Sequence, residues 1–270
     1  MAKDRVEVNR HFVGVPQGTL HYAEAGQGDA VLLLHQTPRS WNEYREVLPL
    51  LGANRRAIAM DTIGFGDSSP LPPGRDSIEV WAEAALALLD ALDVDRAHLV
   101  GHHTGAVIAT HLAASAPERT RSVVLSSCPF DDAEERAMHL RGRAVVDDVD
   151  HRPDGSHVLE LWRTRAPFYP PDGTDLLDSY LIDALKAGPR AAEGHQVVAR
   201  YDMEVAVRYI RCPVLLIGAP KDPHAYPALA RLREALPQAE VTEIAGGMVP
   251  LPDQLPEPFA AAVARFLDSL

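Results

Sequence analysis

A chain of 270 residues with 26 basic and 38 acidic side chains has a formal charge of −12 and is 46% hydrophobic. That suits one domain with a substantial core, or one domain carrying a large insertion, and it excludes disorder and collagen-like repeats. The acidic balance argues against a nucleic-acid partner, whose phosphates call for a basic face; the only lysines are Lys3, Lys186 and Lys221. Cys128 and Cys212 are too far apart in sequence for a metal-spaced pair or a secretory disulfide framework. The N-terminus, residues 1–7, is charged where a signal peptide needs an apolar stretch, and the apolar runs at 31–34 and 84–89 are too short to span a membrane. A soluble cytoplasmic protein is expected.

In chain order, 30–34 (AVLLL) and 56–60 (RAIAM) read as buried strands, and 97–100 and 122–125 repeat the pattern. Runs that are apolar on both faces are what a parallel sheet covered by helices demands. Between them, 77–92 places Val80, Ala84, Leu86, Leu88 and Leu92 on a helical repeat, and 104–114 does so with small residues suited to close helix–sheet packing. From 131 to 211 no convincing strand occurs; the stretch holds polar helix-like segments and a turn-rich APFYPPDG at 166–173. Strand signals return at 212–218 and 239–244, and a last amphipathic helix covers 257–270. The expected architecture is α/β, a mostly parallel sheet flanked by helices, with a core of 1–130 and 212–270 and an inserted helical lid at 131–211.

Three loops follow three of these strands: His35-Gln36-Thr37-Pro38, Gly101-His102-His103-Thr104-Gly105 and Gly218-Ala219-Pro220-Lys221-Asp222. The second, a strand and a tight turn leading into a helix with glycines around position 103, resembles the nucleophile elbow of the α/β-hydrolase fold family. The first is similar to that family's His-Gly-x-Pro oxyanion loop, and Asp61 to Ser68 is similar to its loop after the next strand. Asp222 falls where the resemblance places the triad acid.

Two positions depart from the family pattern. His103 stands where the resemblance implies a Ser, Cys or Asp nucleophile, and Gly247 stands in AGGMVP where it implies the triad histidine. Gln36 also replaces the glycine of the oxyanion loop. The two losses are read as coupled: His103 leans into room left by Gly247 and takes its orientation from Asp222, giving a general base in place of the triad. The resemblance assigns oxyanion binding to the backbone amides of Thr37 and Thr104. Gln36, His35, Arg39 and Trp41 are expected around the oxyanion and substrate site, with His35 more a loop anchor and Arg39 suited to a carboxylate. Trp162, Phe168, Tyr169 and His195 are candidates to line a lid pocket. His102 is expected to be structural and His224 incidental to Asp222, while Asp131 and Asp132 read as a solvated helix start. The histidines lack ligand spacing, so no metal is expected, and no glycine-rich phosphate loop implies a nucleotide cofactor.

The leading expectation is a cofactor-free hydrolase of a small ester, lactone or related acyl compound. A lyase, decarboxylase or cofactor-free oxygenase using the same base, and a non-catalytic small-ligand receptor, are the alternatives, because a fold alone does not choose a reaction. The expected partner is a small-molecule substrate, with no nucleic acid and no membrane, and a homodimer is left open.

Overall fold

The computed structural model describes residues 6–140 and 147–270. The charged start at 1–5 and positions 141–146 of the expected insertion lie outside the described residues. The strands are β1 (Asn9–Val15), β2 (Gly18–Ala25), β3 (Ala30–Leu34), β4 (Arg56–Met60), β5 (Ala97–His102), β6 (Thr120–Ser126), β7 (Val214–Gly218) and β8 (Glu240–Glu243). They form one eight-stranded sheet in the order β1-β2-β4-β3-β5-β6-β7-β8. β2 pairs antiparallel with β1 and β4; every other pairing is parallel.

β3 shows why the central strands need apolar residues at every position. Leu32 and Leu34 enter the core on one face, Val31 and Leu33 the core on the other, and all four are fully buried. Fully burying each such side chain contributes roughly 1.5–3 kcal/mol. The first face is covered by α2 (Ile78–Ala91) and α3 (Thr104–Ser115), the second by α1 (Val47–Leu51) and the C-terminal helix α11 (Pro256–Asp268). α2 begins where Ser77 caps it, its hydroxyl accepting from the Val80 N–H at 3.3 Å.

The N-terminal pair β1–β2 has no counterpart among the expected strands. β1 is exposed over most of its length and β2 places His21, Tyr22 and Glu24 among its apolar residues, so neither carries the uninterrupted apolar run that marks the interior strands. Between β6 and β7 the described residues hold helices and no strand: α4 (Ala133–Leu140), α5 (Ser156–Arg165), α6 (Thr174–Ala187), α7 (Arg190–Arg200) and α8 (Met203–Ala206). α9 (Leu229–Ala235) and α10 (Leu251–Gln254) complete the set. Leu161, Tyr169, Leu177, Tyr180, Leu181 and Ala184 form a separate small core within this helical segment. Among the described residues, no helix is long and apolar enough to cross a membrane.

Candidate functional site

The loops after β3, β5 and β7 meet at the C-terminal edge of the sheet. β5 ends at His102, α3 begins at Thr104, and His103 makes the turn between them with φ 47° and ψ −114°. A non-glycine residue held there costs on the order of 1–3 kcal/mol. The flanking glycines are required by proximity: a Cβ on Gly101 would stand 2.2 Å from the Gly105 carbonyl oxygen, and one on Gly105 would stand 1.8 Å from the Leu34 carbonyl oxygen. The strain is held by the His103 N–H, which donates to the Ser126 carbonyl at 3.0 Å, and by the His103 carbonyl, which accepts from Ala106 and Val107.

From this turn the His103 ring reaches the loop after β7. Its Nε2 lies 2.7 Å from Asp222 Oδ2, with Asp222 fully buried and His103 12% exposed. Asp222 Oδ1 accepts from the backbone N–H groups of His224 and Ala225 at 2.9 and 3.2 Å. Burial alone would raise the carboxyl; the charge and hydrogen bond of His103, with the two amides, instead hold it well below the usual carboxylate range. A carboxylate only accepts, so the proton of neutral His103 sits on Nε2 and the Nδ1 lone pair remains available.

His102 is fixed in the neutral form. Its Nε2–H donates to the Val249 carbonyl at 2.8 Å and its Nδ1 lies 3.0 Å from the Ser126 hydroxyl. Burial, reinforced by His103, lowers it to about 3. Its ring stands edge-on to that of His103, centroids 4.8 Å apart.

The loop after β3 is equally committed. The Thr37 and Thr104 hydroxyls hydrogen-bond to each other at 2.9 Å, both residues being buried. Thr104 opens α3, so its N–H is one of the donors a helix leaves free at its start. His35 is a buried anchor: its Nδ1–H donates to the Gln36 carbonyl at 2.8 Å, and its Nε2 accepts from the Thr62 N–H at 2.9 Å. The Gln36 side-chain nitrogen is committed to Glu43.

Other expected residues have partners of their own. Arg39, expected near the substrate, is fully buried, with Nε and Nη2 bonded to the protein and Nη1 without a hydrogen-bond partner among the described residues. Its Nε donates to Asp183 of α6 and its Nη2 to Asp253 of α10, each at 2.9 Å. Trp41 lies beside β1 and β2, its ring 6.2 Å from that of His21 and under the Arg10 guanidinium at 5.1 Å. Expected room beside Gly247 is partly filled, since a Cβ there would meet Leu251 Cδ1 at 2.8 Å and Ala219 Cβ at 3.2 Å.

In the helical segment, Trp162 and Tyr169 belong to the small core, with Tyr169 3% exposed. The ring of Phe168 packs on His224 at 4.5 Å, close to the Asp222 loop. His195 faces its own segment: Nε2 lies 2.8 Å from Asp147, which also binds Arg165 and Tyr180. Gly194, beside it on α7, rests on the loop after β3 so closely that a Cβ there would stand 2.6 Å from Thr37 Oγ1. Gly194, Glu43, Asp183 and Asp253 were not singled out from sequence. Only Gln36, in place of the glycine of a resembled motif, signalled that its loop needed an unusual partner.

Among the described residues, His21, Asp61 and Asp67 form the one group that could hold a metal ion. The chain's own cations neutralise it: Arg10 donates to His21 Nε2 at 3.0 Å and to Asp67 at 2.6 Å, and Lys186 binds Asp67 as well.

Comparisons with known proteins agree with this fold. The family profile described as alpha/beta hydrolase fold matches residues 29–145. The chain is 37% identical over 117 residues to bifunctional epoxide hydrolase 2 of Sus scrofa, covering 43% of this chain and 21% of that protein. It is 36% identical over 123 residues to the 2-hydroxymuconate semialdehyde hydrolase of Pseudomonas sp. (strain CF600), covering 44% and 43%. The matches thus span less than half the length of these curated relatives. The structure superposes on the enol-lactonase of Burkholderia xenovorans LB400 with a TM-score of 0.76 at 22% identity, over 96% of this chain and 100% of that one. The chain has the α/β-hydrolase fold, a mostly parallel eight-stranded sheet flanked by helices.

Proposed function

Starting from a chain with the α/β-hydrolase fold, we propose that it is a cofactor-free hydrolase of a small ester, lactone or related acyl compound, with His103 as general base. The observation that carries this reading is the 2.7 Å bond between His103 Nε2 and Asp222 on the strained turn. It leaves Nδ1 as the basic nitrogen, aimed from the position where the family fold presents its reacting group. A water held against Nδ1 gives up its proton there while its oxygen attacks the acyl carbon. The imidazolium keeps its Nε2–H on Asp222, which stays a carboxylate, and the negative charge on the former carbonyl oxygen is met by the N–H groups of Thr37 and Thr104. Collapse expels the alkoxide, which recovers the proton from Nδ1. Positioned proton transfer supplies on the order of 10²–10⁴-fold, and each oxyanion donor roughly 3 kcal/mol.

The names of the relatives, two hydrolases and a lactonase, support hydrolysis of small organic compounds as the class. We read 131–211 as a lid over this site, a reading supported by the seating of Gly194 on Thr37 and of Phe168 on His224. The same close seating favours a second reading, in which Nδ1 removes a proton from the substrate in a water-poor site and the product is a lyase or oxygenase product.

The test is a panel of p-nitrophenyl esters and γ- and δ-lactones assayed with wild type and His103→Ala, with products identified. A fall in kcat/KM of at least 10² on an accepted substrate is expected. A variant within twofold of wild type overturns the assignment of His103, and a binding protein with no turnover of any substrate class overturns the enzyme.

A further inference from the structure

Gln36 is the residue at which the oxyanion loop departs most from the pattern it resembles, and every polar group it has, apart from its side-chain oxygen, is engaged. Its backbone N–H donates to Glu43 Oε2 at 2.9 Å, and its side-chain Nε2 donates to Glu43 Oε1 at 2.5 Å. Its carbonyl accepts from His35 Nδ1 at 2.8 Å and from the Arg39 N–H at 2.9 Å. That carbonyl and the Thr37 N–H belong to one planar peptide group, so pinning the oxygen fixes the direction in which the N–H points. Glu43 grips the preceding peptide from the other side. Glu43 itself is fully buried in the 3-10 turn Trp41–Tyr44, whose Tyr44 hydroxyl is tied to the Leu34 carbonyl at 2.9 Å. A glycine at position 36 makes the backbone bond and cannot make the second one.

We propose that Glu43 is a positioning residue: through its two bonds to Gln36 it aims the Thr37 N–H as an oxyanion donor, and the grip depends on Glu43 being a carboxylate. The proposal rests on the hydrolytic reading above. The carboxylate accepts both Gln36 donors at once, whereas its acid form has a proton where one of those acceptors must be. The charged and titratable groups facing it are Arg39 of the same loop, Asp253 of α10, Asp183 of α6 beside Arg39, its neighbour Tyr44, and Tyr169 of the helical segment. Burial raises Glu43 to about 7, against the opposing pull of Arg39 and the two Gln36 donors. The grip is therefore complete above pH 7 and loosens as the pH falls through it.

Two measurements test this together. Steady-state kinetics of Glu43→Gln should show kcat lowered at least tenfold with KM within twofold of wild type, because an aimed oxyanion donor acts on the transition state. In protein labelled with ¹⁵N at glutamine and threonine, the Gln36 and Thr37 amide signals should shift with a midpoint near pH 7, and in Glu43→Gln they should not. Gln36→Gly, which keeps one of the two bonds, should fall between wild type and Glu43→Gln in kcat. A Glu43→Gln enzyme with kcat within twofold of wild type, or a Thr37 amide that does not follow pH in wild type, overturns the proposal. If His103→Ala retains full activity, the hydrolytic reading fails separately, while the amide titration still decides whether Glu43 governs the loop.

Discussion

Replacing Arg39 with methionine removes a charge from a buried ionic cluster of the core while keeping most of the side-chain volume. Arg39 is fully buried, and its partners Asp183 and Asp253 have side chains only 7% and 5% exposed. Loss of the guanidinium leaves two carboxylates without a cation. Asp183 keeps the Ser40 hydroxyl at 2.8 Å, whereas the Asp253 carboxyl, raised by burial even beside Arg39, loses its charged partner. Removing one member of a buried ion pair costs about 3–5 kcal/mol, which for a chain of this size lowers Tm by roughly 10 °C. The pH dependence has a definite sign. Without Arg39 the Asp253 carboxyl, already raised by burial, is raised further above its unfolded value of about 3.9, so the deficit is full at pH 8 and shrinks as the pH falls and that carboxylate protonates. Urea denaturation of wild type and Arg39→Met at pH 8 and pH 5 measures both effects. A loss under about 1 kcal/mol at pH 8, below the range for a broken buried pair, or a deficit equal at the two pH values, refutes the reasoning.

Two further expectations follow from the site. Gly194→Ala puts a methyl group 2.6 Å from Thr37 Oγ1 and 2.7 Å from Thr37 Cβ; neither atom belongs to a flexible chain end, so α7 has to lift, at about 1–3 kcal/mol, and a change under about 0.5 kcal/mol by urea denaturation, well below that range, contradicts the contact. Asp222, held well below the usual carboxylate range, contributes stability that is complete above its unfolded pKa of about 3.9 and is lost as the pH falls below it; a ¹³C titration of its carboxyl with a midpoint at or above that value contradicts the geometry.

How much of this was legible in the sequence depended on whether a signal was local. β3 and β4 were readable to the residue because both faces of each are buried, which forces continuous apolar runs. β1 and β2 were not, because an exposed edge strand and a strand bearing buried His21 lack that run. The turn at His103 was legible because close backbone approach at Gly101 and Gly105 admits only glycine, and the loop carrying Asp222 because it directly follows a buried strand. The ion pairs of Arg39 were not legible because its partners, 144 and 214 residues away, leave no mark on the loop that holds it. Gly194 was missed for a similar reason, since a small residue on a polar helix does not announce which loop it will press against.

The distance in sequence between Arg39 and Asp253 has a consequence for how the chain is made. A ribosome delivers the β3 loop early and α10 late, so the charged anchor of the loop waits, hydrated, while more than two hundred residues are added. Closing so long a loop is slow, and the cluster is expected to form after the sheet interior has condensed. Interactions that arise late in folding slow unfolding more than they speed folding. The Arg39 cluster is therefore placed to lengthen the lifetime of the finished loop rather than to guide the chain towards it.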